Sequence, residues 1–554
     1  MDGTDRNLSK RAYTHINYTD NDYRVFGPPG CGKTTYLARQ VTNAVQKHGS
    51  HAVFLASFTR TAAAELAGRD LPIEKHQIGT LHAHCYRALS SPEIAELHIK
   101  EFNSENPGFE LSDDSSGNLD EAATECSFST SADLSFSEYQ ILRNKMIRRD
   151  LWPVQTLKFA ERWENWKLET RRTDYTDLIE QGLEIVEYAP GKPSIGFFDE
   201  CQDFTPLEIS LVRKWGRKMQ QILLCGDDDQ CLYSFKGATS EAFLNPPIPD
   251  SQKRILEQSY RVPRKVQEYA QNWIEKVVVR EPKAYKPRDE EGEIRMSKAN
   301  WKNPRPAIND ALDQMAKGKR VMFLTSCSYM LYPLIQMLRA EAVPYCNPYR
   351  ATRGDWNPLA TRGTTSAERI LSYLRPDPNS FGDQARMWTY DEIAKWAEIL
   401  RSDGLIQRGK KKVLPELKEQ MAEANMQDLV EIFDDEGLGQ ALEFDLDWYY
   451  SQALASKQKG LEFPMKIIKK HGIHTLHEQP KCIVGTIHSV KGGEADVVYI
   501  FPDISAAGMR EWVKPTERDN IIRQFYVGMT RAKETLVLCS PATSWAVRLP
   551  PPDK

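Results

Sequence analysis

Short apolar runs that pass into amphipathic stretches recur along the first half of the chain. YRVFGPPGCGKTTYLARQVTNAV (23–45) and HAVFLASFTRTAAAEL (51–66) each indicate a strand, a polar loop and a helix. IGFFDECQD (195–203) and QILLCGDDDQ (221–230) indicate buried strands that end in polar loops. Because strands that alternate with helices form parallel sheets covered on both faces, this pattern predicts an α/β core.

The same pattern returns in the second half. Apolar runs occur in KRVMFLTSCSYMLYPLIQMLRAE (319–341), KCIVGTIHSVKGGEADVVYIF (481–501) and TLVLCSP (535–541). The first two again pair a strand with a loop or a helical stretch. We therefore predict a second α/β core, with a parallel sheet of its own.

Two long stretches interrupt these cores. Residues 101–137 hold nine acidic residues and nine serines without a Lys or Arg, which predicts a solvated loop or the tip of an inserted domain. LWPVQTLKFAERWENWKL (151–168) is helical in pattern, and so is most of 371–478, with basic clusters at 408–412 and 466–470. The predicted domains are a first core (1–90 and 190–260) with a helical insertion (91–189), and a second core (261–370 and 479–554) with a helical insertion (371–478).

Composition narrows the class of protein. A chain of 554 residues is long enough for three or four domains at roughly 100–200 residues each. The formal net charge of −4 means that any nucleic-acid surface is local. The ten cysteines form no CxxC pair, the amino terminus lacks a signal-peptide apolar region, and no run of about 18 apolar residues occurs. We expect a soluble cytoplasmic protein with no membrane association, in the nucleoid or in a phage-infected cell.

A phosphate-binding loop follows the first predicted strand. It fits the pattern G-x-x-x-x-G-K-[ST] and continues into a helix through Thr35; its residues are Gly27, Pro28, Pro29, Gly30, Cys31, Gly32, Lys33 and Thr34. Glycines let backbone N–H groups turn towards phosphate oxygens at a helix amino terminus. Lys33 is expected to reach the β- and γ-phosphates of ATP, and Thr34 to ligate Mg²⁺. The alternative, a glycine turn with a surface lysine, does not explain the flanking strand and helix.

Two adjacent carboxylates follow another buried strand. Asp199 and Glu200 come directly after IGFF, at the carboxyl end where ligands of open α/β sheets bind. Asp199 is expected to hold Mg²⁺, and Glu200 to orient and deprotonate the attacking water. A solvated acidic loop is the alternative, but such a loop rarely follows a buried strand without a break. The two motifs together predict hydrolysis of a nucleoside triphosphate.

The ordered motifs resemble those of UvrD/Rep-type superfamily 1 helicases, from about residue 24 to about residue 540. Single motifs are weak signals, but seven in the family's order are highly specific. They are FLASFTRTAAAEL (54–66), GTLHAHCYRAL (79–89), FFDECQD (197–203), LLCGDDDQCLYSFKGA (223–238), LEQSYR (256–261), VGTIHSVKGGEADVVYI (484–500) and RQFYVGMTRAKETLVL (523–538). The resemblance implies two RecA-like P-loop motor domains, each interrupted by a mainly helical insertion.

The resemblance also implies roles for residues outside the phosphate loop. Gln230 becomes a sensor of the γ-phosphate. Arg261 and Arg531, which we assign to the second core, become arginine fingers that spread transition-state charge. Tyr260 is implied to stack on the base of ATP, and Glu494 to bind its ribose. For the arginines the alternative is an ordinary surface charge, since most arginines are exposed.

A DNA path is implied as well. Bases stack on aromatic side chains without sequence preference, so the path is expected to be aromatic and mildly basic. Leu232 and Ala238 are expected to face the core instead. Core packing is the alternative for each aromatic candidate, most of all for Phe58. The nucleic-acid candidates are Phe58, Thr59, His82, Tyr233, Phe235 and His488.

Three features depart from the family's pattern. Residues 1–26 contain no glutamine, although the family carries one upstream of the phosphate loop to read adenine. Gly493 stands where the family more usually has leucine. KGLEF (459–463) matches that motif locally but lacks its strand context, so we assign it to the helical insertion. The third departure is that the insertions are shorter than in large family members.

The implied activity is an ATP-dependent DNA helicase that moves 3′ to 5′ along single-stranded DNA with ATP and Mg²⁺. A translocase that strips proteins from single strands without processive unwinding is the first alternative. A helicase–nuclease is disfavoured because little chain follows the last motif. A switch that has lost catalysis is disfavoured by the intact site residues, and an RNA substrate stays open. Implied partners are single-stranded DNA, single/double-strand junctions and replication or repair proteins, with a monomer expected.

Overall fold

The computed structural model describes residues 21–112 and 130–552, which form two compact units. The first unit holds residues 1–295, 504–536 and 550–554, and the second holds 296–503 and 537–549. Residues 1–20 and 113–129 lie outside the described residues, so the expectation of a solvated loop is not tested for the middle of the acidic, serine-rich segment. The described parts of that segment include the helix Ile99–Glu105 and the start of the helix Ser131–Asn144. Within the described residues no helix is both long enough and apolar enough to cross a bilayer.

The first unit is built on a six-stranded sheet. Its strand order is β3-β2-β4-β5-β1-β6, and neighbouring strands pair in parallel. Every residue of β2 and β4 is buried, as expected for a sheet with both faces covered. The strands are β1 (Asp22–Phe26), β2 (Val53–Ser57), β3 (Ile78–Thr80), β4 (Ile195–Asp199), β5 (Gln221–Gly226) and β6 (Lys253–Ile255).

Helices cover both faces of this sheet. One core packs Leu37 and Val41 of the first helix beneath the strands, and the other packs Leu211 and Trp215 on the opposite face. The helices that pack against the sheet are α1 (Lys33–His48), α2 (Arg60–Ala67), α3 (Leu81–Ala88), α8 (Pro206–Gly216) and α9 (Ser240–Leu244). A short parallel pair, β7 (Gln258–Pro263) and β8 (Lys286–Arg288), flanks α10 (Arg264–Ile274).

Between β3 and β4 the described chain is mainly helical. It contains α4 (Ile99–Glu105), α5 (Ser131–Asn144), α6 (Val154–Thr170) and α7 (Tyr175–Ile185). An aromatic core joins α4, α5 and α6, in which Phe102 meets Trp163 edge to face at 5.0 Å and Phe159 stacks on Trp163, whereas Leu178 and Ile179 of α7 pack in the core of the sheet. These helices are the predicted insertion in the first core.

A second six-stranded sheet has the order β11-β12-β10-β13-β14-β9. Its central strands pair in parallel, and their buried residues are apolar except for Thr325 and Thr486. The unit boundaries at 295/296 and 536/537 fall inside β9 and β14. The strands are β9 (Glu293–Ser297), β10 (Val321–Thr325), β11 (Tyr345–Cys346), β12 (Cys482–Thr486), β13 (Ala495–Ile500) and β14 (Ala532–Cys539).

The chain between β11 and β12 is mainly helical, as predicted. Trp388, Trp396 and Tyr449 form the centre of its own core, and KGLEF lies inside its last long helix. The helices are α13 (Ser366–Leu374), α14 (Pro378–Phe381), α15 (Tyr390–Ala397), α16 (Met426–Ile432), α17 (Asp435–Ala441), α18 (Leu446–Gln452) and α19 (Ala455–His471). The remaining helices are α11 (Arg305–Ala316), α12 (Tyr332–Ala340), α20 (Ala506–Val513) and α21 (Arg518–Met529).

The predicted fold class is confirmed: two α/β, RecA-like sheets, each interrupted by a mainly helical insertion. The predicted domain boundaries stay a prediction. The compact units divide the chain at other places, since 261–295 and 504–536 belong to the first unit. Arg261 and Arg531 therefore lie in the same compact unit as the phosphate loop.

Candidate functional site

The phosphate loop connects β1 to α1. Gly30 and Gly32 both have φ of +76°, a conformation that favours glycine. A Cβ on Gly27 would lie 2.3 Å from Cγ of Lys33, and one on Gly30 would lie 2.5 Å from Cβ of Arg261. A side chain at Gly27 or Gly30 would therefore collide with its neighbours, whereas Gly32 has open space and is restricted only by its positive φ. These constraints fit a loop that turns its backbone N–H groups towards a phosphate.

Lys33 begins α1, and its Nζ donates a hydrogen bond to the carbonyl of Gly27 at 2.7 Å. Burial acts to lower the pKa of this ammonium, but the nearby Cys31, Glu200 and Asp227 outweigh burial and raise it. Burial raises the pKa of the Cys31 thiol. Lys33 is therefore charged at pH 7, and the Cys31 thiol is neutral.

The paired carboxylates lie at the carboxyl end of β4. Asp199 is buried, and its Oδ1 accepts a hydrogen bond from the backbone N–H of Glu200 at 3.0 Å. Glu200 has φ of +54°, and a left-handed non-glycine residue costs of order 1 kcal/mol. Backbone strain at the end of a buried strand is typical of a functional position.

Gln202 connects the carboxylates to the next strand. Its amide nitrogen donates to the Glu200 carboxylate and to Asp203 Oδ2 at 3.1 Å, and its amide oxygen accepts from the N–H of Asp227 at 2.9 Å. Thr205 then starts α8 with a reciprocal cap, in which its hydroxyl accepts from the N–H of Glu208 at 3.2 Å. Gln202 therefore orients Glu200 relative to β5.

The oxygen ligands of this site suit Mg²⁺. Thr34 provides a hydroxyl and Asp199 a carboxylate, and Mg²⁺ prefers hard oxygen ligands and few protein carboxylates. Both residues follow a strand of the same sheet, and β1 and β4 are each hydrogen-bonded to β5. The donor set therefore fits the metal that the sequence implies.

Gln230 and Arg531 are in direct contact. Gln230 follows β5, and its amide nitrogen donates to Asp227 Oδ2 at 2.6 Å. Nη2 of Arg531 donates to the amide oxygen of Gln230 at 3.1 Å, and Nε donates to the carbonyl of Val527 at 2.9 Å. Both side chains are buried. Two residues 301 positions apart thus form a hydrogen-bonded pair at the end of β5.

The sequence did not predict two cations that lie beside the pair of Gln230 and Arg531. Lys283 is buried, with Nζ 3.3 Å from Asp227 Oδ1 and 2.9 Å from Asp229 Oδ2, and it also pairs with Asp228. Arg280 binds Asp229 through two hydrogen bonds, at 2.9 and 2.6 Å. Burial raises the pKa of Asp228 to about 6 although Lys283 opposes that shift. Three consecutive aspartates in GDDDQ signal that buried cations are required, but the sequence does not identify them.

The β7 segment is tied to the phosphate loop. The backbone N–H of Tyr260 donates to the carbonyl of Gly30 at 2.8 Å, and the carbonyl of Pro29 accepts from Ser259 Oγ at 2.9 Å and Tyr285 Oη at 3.0 Å. The Tyr260 side chain is 74% exposed, which leaves a ring face open for a base. Arg261 follows it in β7 and is half-buried.

Three of the DNA candidates form one aromatic cluster. The ring of Tyr233 lies 4.8 Å from Phe58 and 5.7 Å from Phe235, and Nζ of Lys236 lies 5.3 Å from the Tyr233 ring. Tyr233 is only 4% exposed, whereas Phe58 and Phe235 are half-buried. The Tyr233 ring is therefore mainly packed in the core, and the solvent-accessible ring surface of this cluster belongs to Phe58 and Phe235. Leu232 and Ala238 face the core, as predicted.

The other DNA candidates are separate from this cluster. Thr59 caps α2, since its hydroxyl accepts from the N–H of Ala62 at 3.1 Å. His82 lies 3.7 Å from the carboxylate of Glu208. His488 belongs to the second unit, in the turn after β12, and is half-buried. Their role as nucleic-acid contacts stays a prediction.

The structure explains the glycine in the motif that follows β12. A Cβ on Gly493 would lie 2.4 Å from Cζ of Tyr349. The hydroxyl of Tyr349 also accepts a hydrogen bond from the backbone N–H of Glu494 at 3.4 Å. The tyrosine ring thus occupies the space that a leucine side chain would need. Glu494, the candidate ribose ligand, is held by this ring within the second unit.

We expect Gly493→Leu to destabilise the second unit, because overpacking typically costs about 1–3 kcal/mol. Its thermal unfolding temperature is expected to fall, and Tyr349→Ala in the same chain is expected to restore most of the loss. Thermal unfolding of the two single variants and the double variant measures this coupling. Equal losses from Gly493→Leu with and without Tyr349 would contradict the packing explanation.

Comparisons with known proteins relate this chain to helicases. Residues 8–247 match the family profile described as the UvrD/REP helicase N-terminal domain, and residues 481–539 match that of the UvrD-like helicase C-terminal domain. The Bacillus subtilis putative ATP-dependent DNA helicase YjcD is 21% identical over 44% of this chain and 35% of its own length. The Staphylococcus epidermidis ATP-dependent DNA helicase PcrA is 22% identical over 51% of this chain and 42% of its own length.

A shorter match has a higher sequence identity. The F-box DNA helicase protein 1 of Schizosaccharomyces pombe is 38% identical over 73 residues, which are 13% of this chain and 8% of that protein. The chain therefore spans at most about two fifths of the length of these curated relatives.

Proposed function

The chain belongs to the UvrD/Rep family of superfamily 1 helicases, and from that premise we propose that it is an ATP-driven motor on single-stranded DNA. The proposed reaction is hydrolysis of ATP coupled to 3′ to 5′ translocation and to unwinding of duplex DNA. The observation that carries it is the joined pair of Gln230 and Arg531 at the end of β5, in the same compact unit as the phosphate loop.

The proposed roles follow from the geometry of the first unit. Glu200, oriented by Gln202, takes a proton from the attacking water. Lys33 and Arg531 stabilise the charge that develops on the transferred phosphoryl group, and Arg261 adds a third cation. Thr34 and Asp199 would hold Mg²⁺, which neutralises phosphate charge when it is bound.

A short path connects the proposed sensor to the proposed DNA contacts. Gln230 precedes Tyr233 by three residues and Phe235 by five, in one turn after β5. Arg531 and Asp227 both hold the Gln230 amide, so a change at the γ-phosphate alters the position of this turn. Phe58 contacts the same turn through Tyr233. We propose that nucleotide state is transmitted to the strand through these residues.

We expect ATP hydrolysis to be slow alone and stimulated at least about tenfold by single-stranded DNA, since completing a site of this kind changes rates by far more. A steady-state ATPase assay with and without an oligodeoxythymidine measures it. Duplex DNA with blunt ends serves as the control and is expected to stimulate weakly. Equal rates with and without single strands would contradict the motor.

Polarity and unwinding need a separate experiment. Strand displacement on 3′-tailed and 5′-tailed duplexes distinguishes the directions, and unwinding of the 3′-tailed substrate alone is expected. The second candidate function is a translocase that strips proteins, and the short insertions favour it. Displacement of streptavidin from a biotinylated end without strand displacement would identify that activity.

We propose single/double-strand junctions as loading sites, replication or repair proteins as partners, and a monomer as the working state.

A further inference from the structure

The chain between α10 and β8 contacts both the phosphate loop and the turn that follows β5. We call its residues 280–285 the arm, and residues 227–230 the sensor turn. Exposure alternates at the end of the arm, since Lys283 is buried, Ala284 is exposed and Tyr285 is half-buried. Side chains two residues apart point to the same side of an extended chain, so Lys283 and Tyr285 both face inwards. The arm lies outside all seven family motifs.

Tyr285 connects the arm to the phosphate loop. Its hydroxyl donates a hydrogen bond to the carbonyl of Pro29 at 3.0 Å, and Ser259 Oγ donates to the same carbonyl at 2.9 Å. Burial raises the pKa of Tyr285, so the phenol keeps its proton at pH 7 and remains a donor. Pro29 lies directly before Gly30, where the loop turns with a φ of +76°. The Tyr285 hydroxyl therefore holds the loop beside its turn.

Lys283 connects the arm to the sensor turn. Its Nζ lies 3.3 Å from Asp227 Oδ1 and 2.9 Å from Asp229 Oδ2, and it also pairs with Asp228. Burial acts to lower the pKa of this ammonium, but the three aspartates outweigh burial and raise it, so Lys283 is charged. Asp227 in turn accepts a hydrogen bond from the Gln230 amide at 2.6 Å. Lys283 thus acts on the proposed γ-phosphate sensor through one carboxylate.

The arm is also fixed on either side of residues 280–285. Before it, the backbone N–H of Val278 donates to Asp519 Oδ2 of α21 at 3.0 Å. After it, the backbone N–H of Lys286 donates to the carbonyl of Glu257 at 2.8 Å. A closely packed segment with fixed ends transmits a displacement rather than absorbing it. The phosphate loop and the sensor turn are therefore joined through the arm, in addition to the pairing of β1 with β5.

We propose that the arm positions the phosphate loop and the sensor turn relative to each other, with Tyr285 setting the affinity for ATP and Lys283 the rate of hydrolysis. This inference rests on the proposed function. The phosphate loop holds the phosphates before and during the reaction alike, so loosening it weakens binding without changing the chemical step. The sensor turn carries Gln230, which is proposed to meet the γ-phosphate, so misplacing it lowers kcat. Charge balance alone is the alternative for Lys283, because buried carboxylates require a cation.

Tyr285→Phe removes one hydroxyl and keeps the ring. We expect KM for ATP to rise about 3- to 10-fold, which corresponds to one lost hydrogen bond, with kcat within about twofold. Binding of a fluorescent ATP analogue without DNA is expected to weaken by the same factor. The matched control is Tyr269→Phe, because Tyr269 is a buried tyrosine of α10 whose hydroxyl also donates to a proline carbonyl, that of Pro550, at 2.8 Å. It is expected to change neither KM nor nucleotide affinity.

Lys283→Met is expected to lower kcat for DNA-stimulated hydrolysis about 10- to 100-fold, as misplacement of a catalytic group does, and to leave KM within about twofold. It also leaves buried carboxylates short of a cation, which destabilises the fold. Lys283→Met combined with Asp228→Asn removes one charge of each sign, so the cluster keeps its net charge. The double variant is expected to regain thermal stability but not kcat.

The matched control for the lysine is Lys253→Met. Lys253 lies in β6, is half-buried, and pairs through Nζ with Oε1 of Glu281 in the same arm at 2.6 Å. Its loss removes a lysine that holds the arm without a link to Asp227. Thermal stability is expected to fall slightly, while kcat and KM stay unchanged. Far-ultraviolet circular dichroism verifies that each variant folds.

The outcomes separate the role of the arm from the proposed function. A double variant with the kcat of the unchanged chain would show that Lys283 only balances charge, and would overturn its positioning role. Equal effects of Tyr285→Phe and Tyr269→Phe on nucleotide affinity would overturn the role of Tyr285. If neither Lys283 variant folds, this tyrosine comparison decides the proposal. An unchanged chain that binds nucleotide without hydrolysing it contradicts the motor itself, and Tyr285→Phe still tests the arm by binding alone.

Discussion

Glu200→Gln is expected to lower kcat for DNA-stimulated ATP hydrolysis by about 10²- to 10⁴-fold, the usual contribution of a general base. Glutamine keeps the shape of the side chain and can still accept the hydrogen bond from Gln202, but it cannot take a proton from water. Lys33, Thr34 and Asp199 stay in place, so ATP affinity is expected to change little. Steady-state hydrolysis at saturating DNA measures kcat, and competition with a fluorescent nucleotide measures affinity.

Two variants make this result specific. Glu200→Asp keeps the carboxylate but shortens its reach, and an intermediate rate is expected. Asp250→Asn removes a fully exposed carboxylate in the same unit and is expected to retain full activity. A Glu200→Gln enzyme whose kcat stays within about threefold of the unchanged chain would contradict the assignment of the base. So would a fall in ATP affinity large enough to explain the loss.

Arg531→Ala is expected to lower kcat by about 10³-fold or more, the effect of removing an arginine finger in other nucleotide hydrolases. The Arg531 guanidinium binds both Gln230 and the carbonyl of Val527, so its loss removes a cation and releases the proposed sensor. Gln230→Ala is expected to cost much of the same activity. Because the two residues act as a unit, the double variant should lose far less than the product of the single losses.

Arg531 is buried, so a structural cause must be separated from a chemical one. Arg523 is the matched control, because it lies in α21, is buried, and donates a hydrogen bond to the carbonyl of Val279 at 2.6 Å. Arg523→Ala is expected to lower thermal stability with a much smaller change in kcat. Arg531→Lys keeps the charge without the planar fork and is not expected to restore activity. Equal kcat losses for Arg523→Ala and Arg531→Ala would contradict the assignment of Arg531 as an arginine finger.

Several features of this protein follow from its sequence because they depend on neighbours in the chain. Alternating apolar runs and helical stretches predict parallel sheets, since a strand buried on both faces is apolar throughout. The residues of the phosphate loop are consecutive in the sequence, and so are Asp199 and Glu200. Each of these two groups comes directly at the end of a strand. Leu232 and Ala238 were also assigned correctly to the core. These are properties of local backbone geometry and of hydrophobic periodicity.

Other features depend on which distant segments meet, and only the tertiary structure decided them. Lys283 forms ion pairs with three aspartates that precede it by more than fifty residues, and Arg531 meets Gln230 across 301 positions. Tyr349 occupies the space above Gly493, which explains a departure that the sequence alone left without a cause. Tyr233 is buried although its motif suggested an open ring. The physical reason is common to all four: buried charges and rings are satisfied by whichever chain crosses beside them, and local sequence does not specify that chain.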